Sequence, residues 1–248
     1  MLAITDHDTA EGFRQGREKA AAAGVDLIPG IELSCVWGGI TIHVVGLNFD
    51  PESPAMKAAE QSQEEARAGR SLIIAERLSK RLKHDIDLSA VQAYTDGGPV
   101  GRPHFARYLL ERELVPSMAV AFSKYLGAGK PGDVKTSWPS LADVVQWITA
   151  AGGVAVLAHA HLYKMTRTKL RACLADFIDA GGRGLEVAYG QMDNNQRGQM
   201  AALAREFDLL GSCGSDYHGP NRFGLDLGVM PAFPADVTPV WHSWQPAG

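Results

Sequence analysis

Six residues of this chain share a placement that could do chemistry. His7, Glu32, His43, His159, Asp216 and His218 each lie in or just after a short apolar run. His7 follows LAIT, Glu32 follows DLIPGI, His159 follows VAVLA, and Asp216 and His218 follow LLGSCGS. His43 lies inside its run, between Ile42 and Val44, and burying it there demands a partner. Four imidazoles and two carboxylates form a mixed nitrogen and oxygen donor set. Such a set suits Mn, Fe or Zn better than Mg or Ca, which take all-oxygen shells. Taken singly, each residue has a plainer reading: a strand-end histidine is more often a loop hydrogen-bonder, Asp216 a turn cap, and Glu32 a partner for an arginine. Their coincidence favours a multi-metal site.

The elements that must position these residues follow from hydrophobic pattern and turn signals. Residues 2–5 read as a buried strand, with Thr9 or Asp8 capping a helix over 11–23 that stops at Gly24. A second strand covers 25–34, and the pair Gly38-Gly39 separates it from a third over 40–47. Strand, helix and strand in this order suggest parallel units. Between 51 and 139 the β-branched runs nearly vanish, and helical patterns take over at 58–81, 88–94, 104–113 and 115–125. Helices at 141–151, 169–180 and 194–207 then alternate with strands at 153–158, 184–187 and 209–214. The expectation is one large α/β domain or a barrel over 1–50 and 140–248, carrying a mostly helical insertion over 51–139. Parallel strands bring their C-terminal ends to one rim, where sites of such folds lie. Strand alternation turns Asp6 and Asp8 away from the face of His7. His161 stays open as a companion of His159, and His84 and His242 read as bystanders.

Composition narrows the classes. With 248 residues the chain can bury one large core, and 27 Gly with 13 Pro imply many loops. Cys35, Cys173 and Cys213 are too dispersed for a disulfide scaffold or a thiolate zinc site, so a reducing, cytoplasmic setting is expected. A net charge of -4 without a basic block argues against a long duplex DNA track, but leaves small anions and short single strands open. No apolar run reaches membrane-span length, and the first residues lack the form of a signal peptide. No protein partner is inferred.

The motifs LAITDHDT (2–9), IPGIELS (28–34), IHVVGL (42–47), VLAHA (156–160) and GSDYH (214–218) resemble the ordered metal motifs of the PHP (polymerase and histidinol phosphatase) family of metal-dependent phosphoesterases. GRPHFARYL (101–109), YLGAGKPG (125–132) and GLEVAYG (184–190) resemble the bacterial subgroup of 3',5'-nucleoside bisphosphate phosphatases and 5'-3' exoribonucleases acting on short RNA. The resemblance implies a distorted (β/α)7 barrel whose insertion forms a substrate lid. It also implies two or three ions, with Mn2+ expected and Fe2+ or Zn2+ as alternatives. By motif, His43 and His159 resemble the ligands of one metal, Glu32 a bridge to a neighbour shared with Asp216, and His7 and His218 ligands of a third. Arg102 and His104 in GRPH, and Arg222 in GPNRFG, are the expected phosphate clamps, because an arginine fork matches two phosphate oxygens.

One departure concerns the family's opening strand with its His-x-His pair, which nothing here matches. Met1 leads straight into what resembles the second strand, so the expectation is a first strand missing with three of nine ligands. A start placed too late or a shortened chain is the expected cause. A second departure is Ala160, where the family has proline. The expected reaction is hydrolysis of a 3',5'-bisphosphonucleotide or trimming of short RNA, with a small nucleotide or short single-stranded RNA as substrate. The alternatives are a phosphatase of another small phosphoester, histidinol-phosphate-like, and a catalytically silent binding domain.

Overall fold

The computed structural model describes residues 1–95, 100–134, 138–218, 226–242 and 244. Its strands are β1 (Leu2–Ile4), β2 (Leu27–Trp37), β3 (Ile40–Leu47), β4 (Val154–Leu157), β5 (Gly184–Tyr189) and β6 (Leu210–Gly214). They form one sheet in chain order, curled into a half-barrel. Its helices are α1 (Glu11–Ala22), α2 (Pro54–Leu82), α3 (Leu88–Gln92), α4 (Arg102–Glu111), α5 (Met118–Ala121), α6 (Leu141–Ala150), α7 (Arg167–Asp179) and α8 (Asn194–Glu206). The chain divides into two compact units, Met1–Glu60 with Ser140–Gly248, and Gln61–Pro139.

In the first unit β1 runs parallel to β2, and β4, β5 and β6 run parallel to one another. β3 does not follow the expected parallel pattern: it is antiparallel to both β2 and β4. The cause is local. Gly38 and Gly39 take φ of +52° and +74°, the backbone of a tight two-residue hairpin, so the chain reverses without a crossover helix. The hairpin arms run past the end of β4, and Ala158 N–H donates to His43 O. His43 can therefore sit inside a strand and still stand level with the end of its neighbour.

The core forms where the sheet meets its helices. Ile31, Leu33, Val44, Leu157, Leu185 and Val187 are buried with Val144, Val145 and Ile148 of α6 and with Leu174 and Phe177 of α7. Buried Leu141, Val144, Val145 and Ile148 recur at helical spacing, and Ser140 with Asp143 closes a capping box at the helix start. β1 is less buried than its sequence suggests. Leu2 is exposed, and β2 is its only strand partner among the described residues. The cap of α1 also differs. Its N-cap is Ala10, while Thr9 Oγ1 accepts from Glu11 N–H and buried Asp8 instead binds Ser34 N–H (2.6 Å) and Ser34 Oγ (3.0 Å).

Arg14 of α1 is tied to the start of α2 by two bonds to Glu60, at 2.9 and 2.8 Å, and Ala10 N–H donates to the same carboxylate. Burial opposes the charge on Glu60, but these donors prevail and hold its pKa below the usual value. A folded pKa below the unfolded one stabilises the protein above the unfolded value of about 4.3, and the gain is lost as pH falls through the folded value. Glu60→Gln is expected to cost about 1–3 kcal/mol at pH 7. In paired thermal melts the gap to wild type should close as pH drops below about 4; a gap that widens in acid would refute the ion pair.

The second unit has a separate core, with Ile74 and Leu78 of α2, Phe105 and Leu109 of α4, and Leu126. Gly101 is the N-cap of α4 and Pro103 lies in its first turn, where no amide donor is needed.

Candidate metal centre

Glu32 is the hub of the site. It lies within β2, paired with Val45 of β3, and is nearly fully buried. Its Oε1 is 2.8 Å from His43 Nδ1 and 3.0 Å from His159 Nε2, and those two nitrogens are 3.1 Å apart. His7, bridged to Glu32 just beyond β1, places Nδ1 3.9 Å from Glu32 Oε2. Donor atoms of His7, Glu32 and His43 all lie within 4.8 Å of one another. The ring of His218 is 5.6 Å from that of His7, and His218 Nδ1 is 3.4 Å from Asp216 Oδ1. Asp216 Oδ2 accepts from the hydroxyl of Tyr189 at 2.8 Å.

This donor set fits a metal ion. Ligands about 2.0–2.2 Å from a metal stand about 2.9–3.6 Å from each other, close to the spacing of Glu32, His43 and His159. Two facing ring nitrogens can share one proton or a cation, but they cannot both donate. Burial disfavours charge on Glu32, yet His7, His43 and His159 outweigh it and hold the carboxylate well below its ordinary pKa. His159 is likewise opposed by burial, but its bond to Glu32, with the charges of Glu32, Glu186 and Asp216, raises its pKa.

Three of the six expected metal residues, His7, His43 and His159, thus surround the carboxylate of a fourth, Glu32, with Asp216 and His218 adjoining through His7. His161 stays outside the cluster: its ring packs 4.8 Å from Tyr189, and burial beside His159 lowers its pKa to about 4. Arg102 and His104 lie in the second unit. Both stand in the first turn of α4, two residues apart and so about 200° around the helix. Half-buried Arg102 donates to Leu126 O at 3.2 Å, and His104 Nδ1 accepts from Gly101 N–H at 2.9 Å. Arg222 lies outside the described residues.

Sequence reasoning passed over three residues that brace the centre. Tyr163 accepts from His43 N–H at 2.9 Å, Tyr189 holds Asp216, and Glu186 Oε2 accepts from His159 N–H at 2.6 Å. Glu186 was visible as a carboxylate within the apolar strand GLEV. Burial raises its pKa to about 8, against the charge and amide of His159.

A curled α/β sheet that delivers histidines and acids to one cluster is the architecture of a metal site. No protein-family model matches the chain. It is 36% identical to the 3',5'-nucleoside bisphosphate phosphatase of Chromobacterium violaceum, covering 99% of this chain and 86% of the relative. It is 42% identical to the 5'-3' exoribonuclease Rnm of Escherichia coli, covering 98% and 83%. Among solved structures, an amidohydrolase from Chromobacterium violaceum with bound sulfate and no metal superposes with a TM-score of 0.87 at 37% identity, covering 97% of this chain and 84% of that one. A protein described as a metal-dependent phosphoesterase, from Bifidobacterium adolescentis, gives 0.78 at 28% identity, covering 96% and 82%. The chain belongs to the PHP family of metal-dependent phosphoesterases and is a hydrolytic enzyme. No helix among the described residues is long and apolar enough to cross a membrane.

Proposed function

We propose that the enzyme removes the 3'-phosphate of 3',5'-bisphosphonucleotides, trims the 5' ends of short RNA, or does both. The observation that carries this reading is the triangle of Glu32 Oε1, His43 Nδ1 and His159 Nε2, with edges of 2.8, 3.0 and 3.1 Å. The names of the two relatives supply the substrate class. His7, Glu32, His43, His159, Asp216 and His218 would hold the metal, with manganese first and iron or zinc as alternatives. Bound there, two or three such ions would supply a water deprotonated near neutral pH and neutralise phosphate oxygens.

The chain's own residues prepare that chemistry. Glu32 stays anionic in a buried setting because three imidazoles face it. Tyr189 fixes one oxygen of Asp216 and leaves the other toward His218. In the second unit, burial and then the charge of Arg67, against that of Asp133, lower the pKa of Arg102, a guanidinium suited to a substrate phosphate. Arg102 and His104 are assigned to phosphate recognition and not to metal.

The test compares kcat/KM in Mn2+ for adenosine 3',5'-bisphosphate, a 5'-phosphorylated RNA pentamer, the same pentamer without its 5'-phosphate, and histidinol phosphate. Either of the first two should lead. The pentamer lacking its phosphate should fall by about 30-fold or more, the loss of one charged contact of about 2–4 kcal/mol. Arg102→Ala should show a similar loss at unchanged metal content. Equal rates with and without the 5'-phosphate would refute recognition of that phosphate by a charged contact, and preference for histidinol phosphate would refute the nucleotide assignment.

A further inference from the structure

We propose that Glu186 is a positioning residue of the metal centre, holding the His159 backbone in the left-handed conformation that points its imidazole at Glu32 and His43. The inference rests on the metal-centre reading and concerns a residue outside the proposed ligand set.

His159 leaves β4 with φ 30° and ψ 44°, a conformation that a residue with a β-carbon rarely adopts. From there the chain enters the short turn Ala160–Leu162, so the His159 amide leaves the strand ladder and needs another acceptor. Glu186 Oε2 is that acceptor, at 2.6 Å. The short bond holds the backbone at the point where the side chain must turn inward, and His159 Nε2 then lies 3.0 Å from Glu32 Oε1.

Two features of the neighbouring strands support this role. In the parallel pairing of β4 with β5, Leu157 is opposite Leu185, so Glu186 stands beside the end of β4. The pairing of β5 with β6 then slips between Glu186 and Ala188, a bulge of the kind that re-aims side chains beside active sites. On the other side, a β-carbon at Gly214 would come within 3.1 Å of Glu186 Oε1. Glycine there leaves room for the carboxylate. Bulge, glycine and left-handed histidine come from three separate strands or strand ends and meet at one carboxyl group.

The experiment compares wild type with Glu186→Gln, whose amide oxygen can still accept, and with Glu186→Met, which cannot. The readouts are the Mn2+ dissociation constant, the thermal midpoint, and the proton shift and exchange rate of the His159 amide in metal-free protein labelled with 15N-histidine. Glu186→Met should weaken Mn2+ binding by about tenfold or more, with an upfield, fast-exchanging His159 amide. Glu186→Gln should retain the amide signature and bind within about threefold of wild type. Wild-type Mn2+ affinity in Glu186→Met would overturn the proposal, because Glu186 would then serve only strand stability. So would a loss in Glu186→Gln equal to that in Glu186→Met, which would mean that charge or direct ligation matters and not the bond to the amide. Should Glu186→Met fail to fold, Glu186→Gln and the wild-type amide still decide: an unshifted, rapidly exchanging His159 amide in wild type refutes the hold. Failure of the metal reading shows separately, as wild-type protein that binds no Mn2+.

Discussion

Glu32→Gln is expected to lower kcat/KM by on the order of a thousandfold or more, with Mn2+ affinity reduced by at least about a hundredfold. The substitution preserves shape and removes the one charge that three imidazoles share. Its amide nitrogen is a donor, and rotating it toward His43 or His159 would oppose a ring nitrogen that must be deprotonated to bind metal. His159 also loses the partner that most favours its charged form, so its pKa should fall toward or below the ordinary histidine value in metal-free protein. Elemental analysis with steady-state kinetics would check the first effect and 15N titration of the histidines the second. Full metal occupancy with wild-type kcat/KM in Glu32→Gln would remove Glu32 from the centre.

Phe177→Ala is expected to cost about 3–5 kcal/mol and to lower the thermal midpoint by on the order of 10 °C. Phe177 is fully buried on α7, and its ring fills the space above Gly182, where a β-carbon would meet Phe177 Cζ at 2.3 Å. Removing the ring leaves a cavity between α7 and the start of β5, which the neighbouring helix backbone cannot fill by small shifts. Differential scanning calorimetry of metal-free protein measures this without any contribution from bound ions. A midpoint within about 2 °C of wild type would show that the layer is not close-packed there.

The sequence alone determined the strand and helix order of the first unit, because the apolar runs there have distinct periods and three of its helices stop near a glycine, at Gly24, Gly152 and Gly181. VAVLA has the length and β-branching of a buried strand, and Leu141, Val144, Val145 and Ile148 recur at helical spacing. It also singled out His7, Glu32, His43 and His159, because histidine and glutamate are costly inside apolar runs unless they have partners. Tertiary structure decided what local pattern does not encode. The reversal of β3 depends on a turn conformation at Gly38 and Gly39, and it is this reversal that sets His43 level with Ala158 and beside His159. Asp8 looked like a cap and proved to be a brace for Ser34, since a carboxylate serves whichever buried donor the fold brings to it. Arg102 and His104 come from one short motif, GRPH, but α4 begins at Arg102 and turns them to different sides. Glu186 was legible only as an acid in a strand. Its bond to the His159 amide exists because two parallel strands lie in one register and a bulge re-aims its side chain, and register is a property of strand pairing that no single run of residues carries.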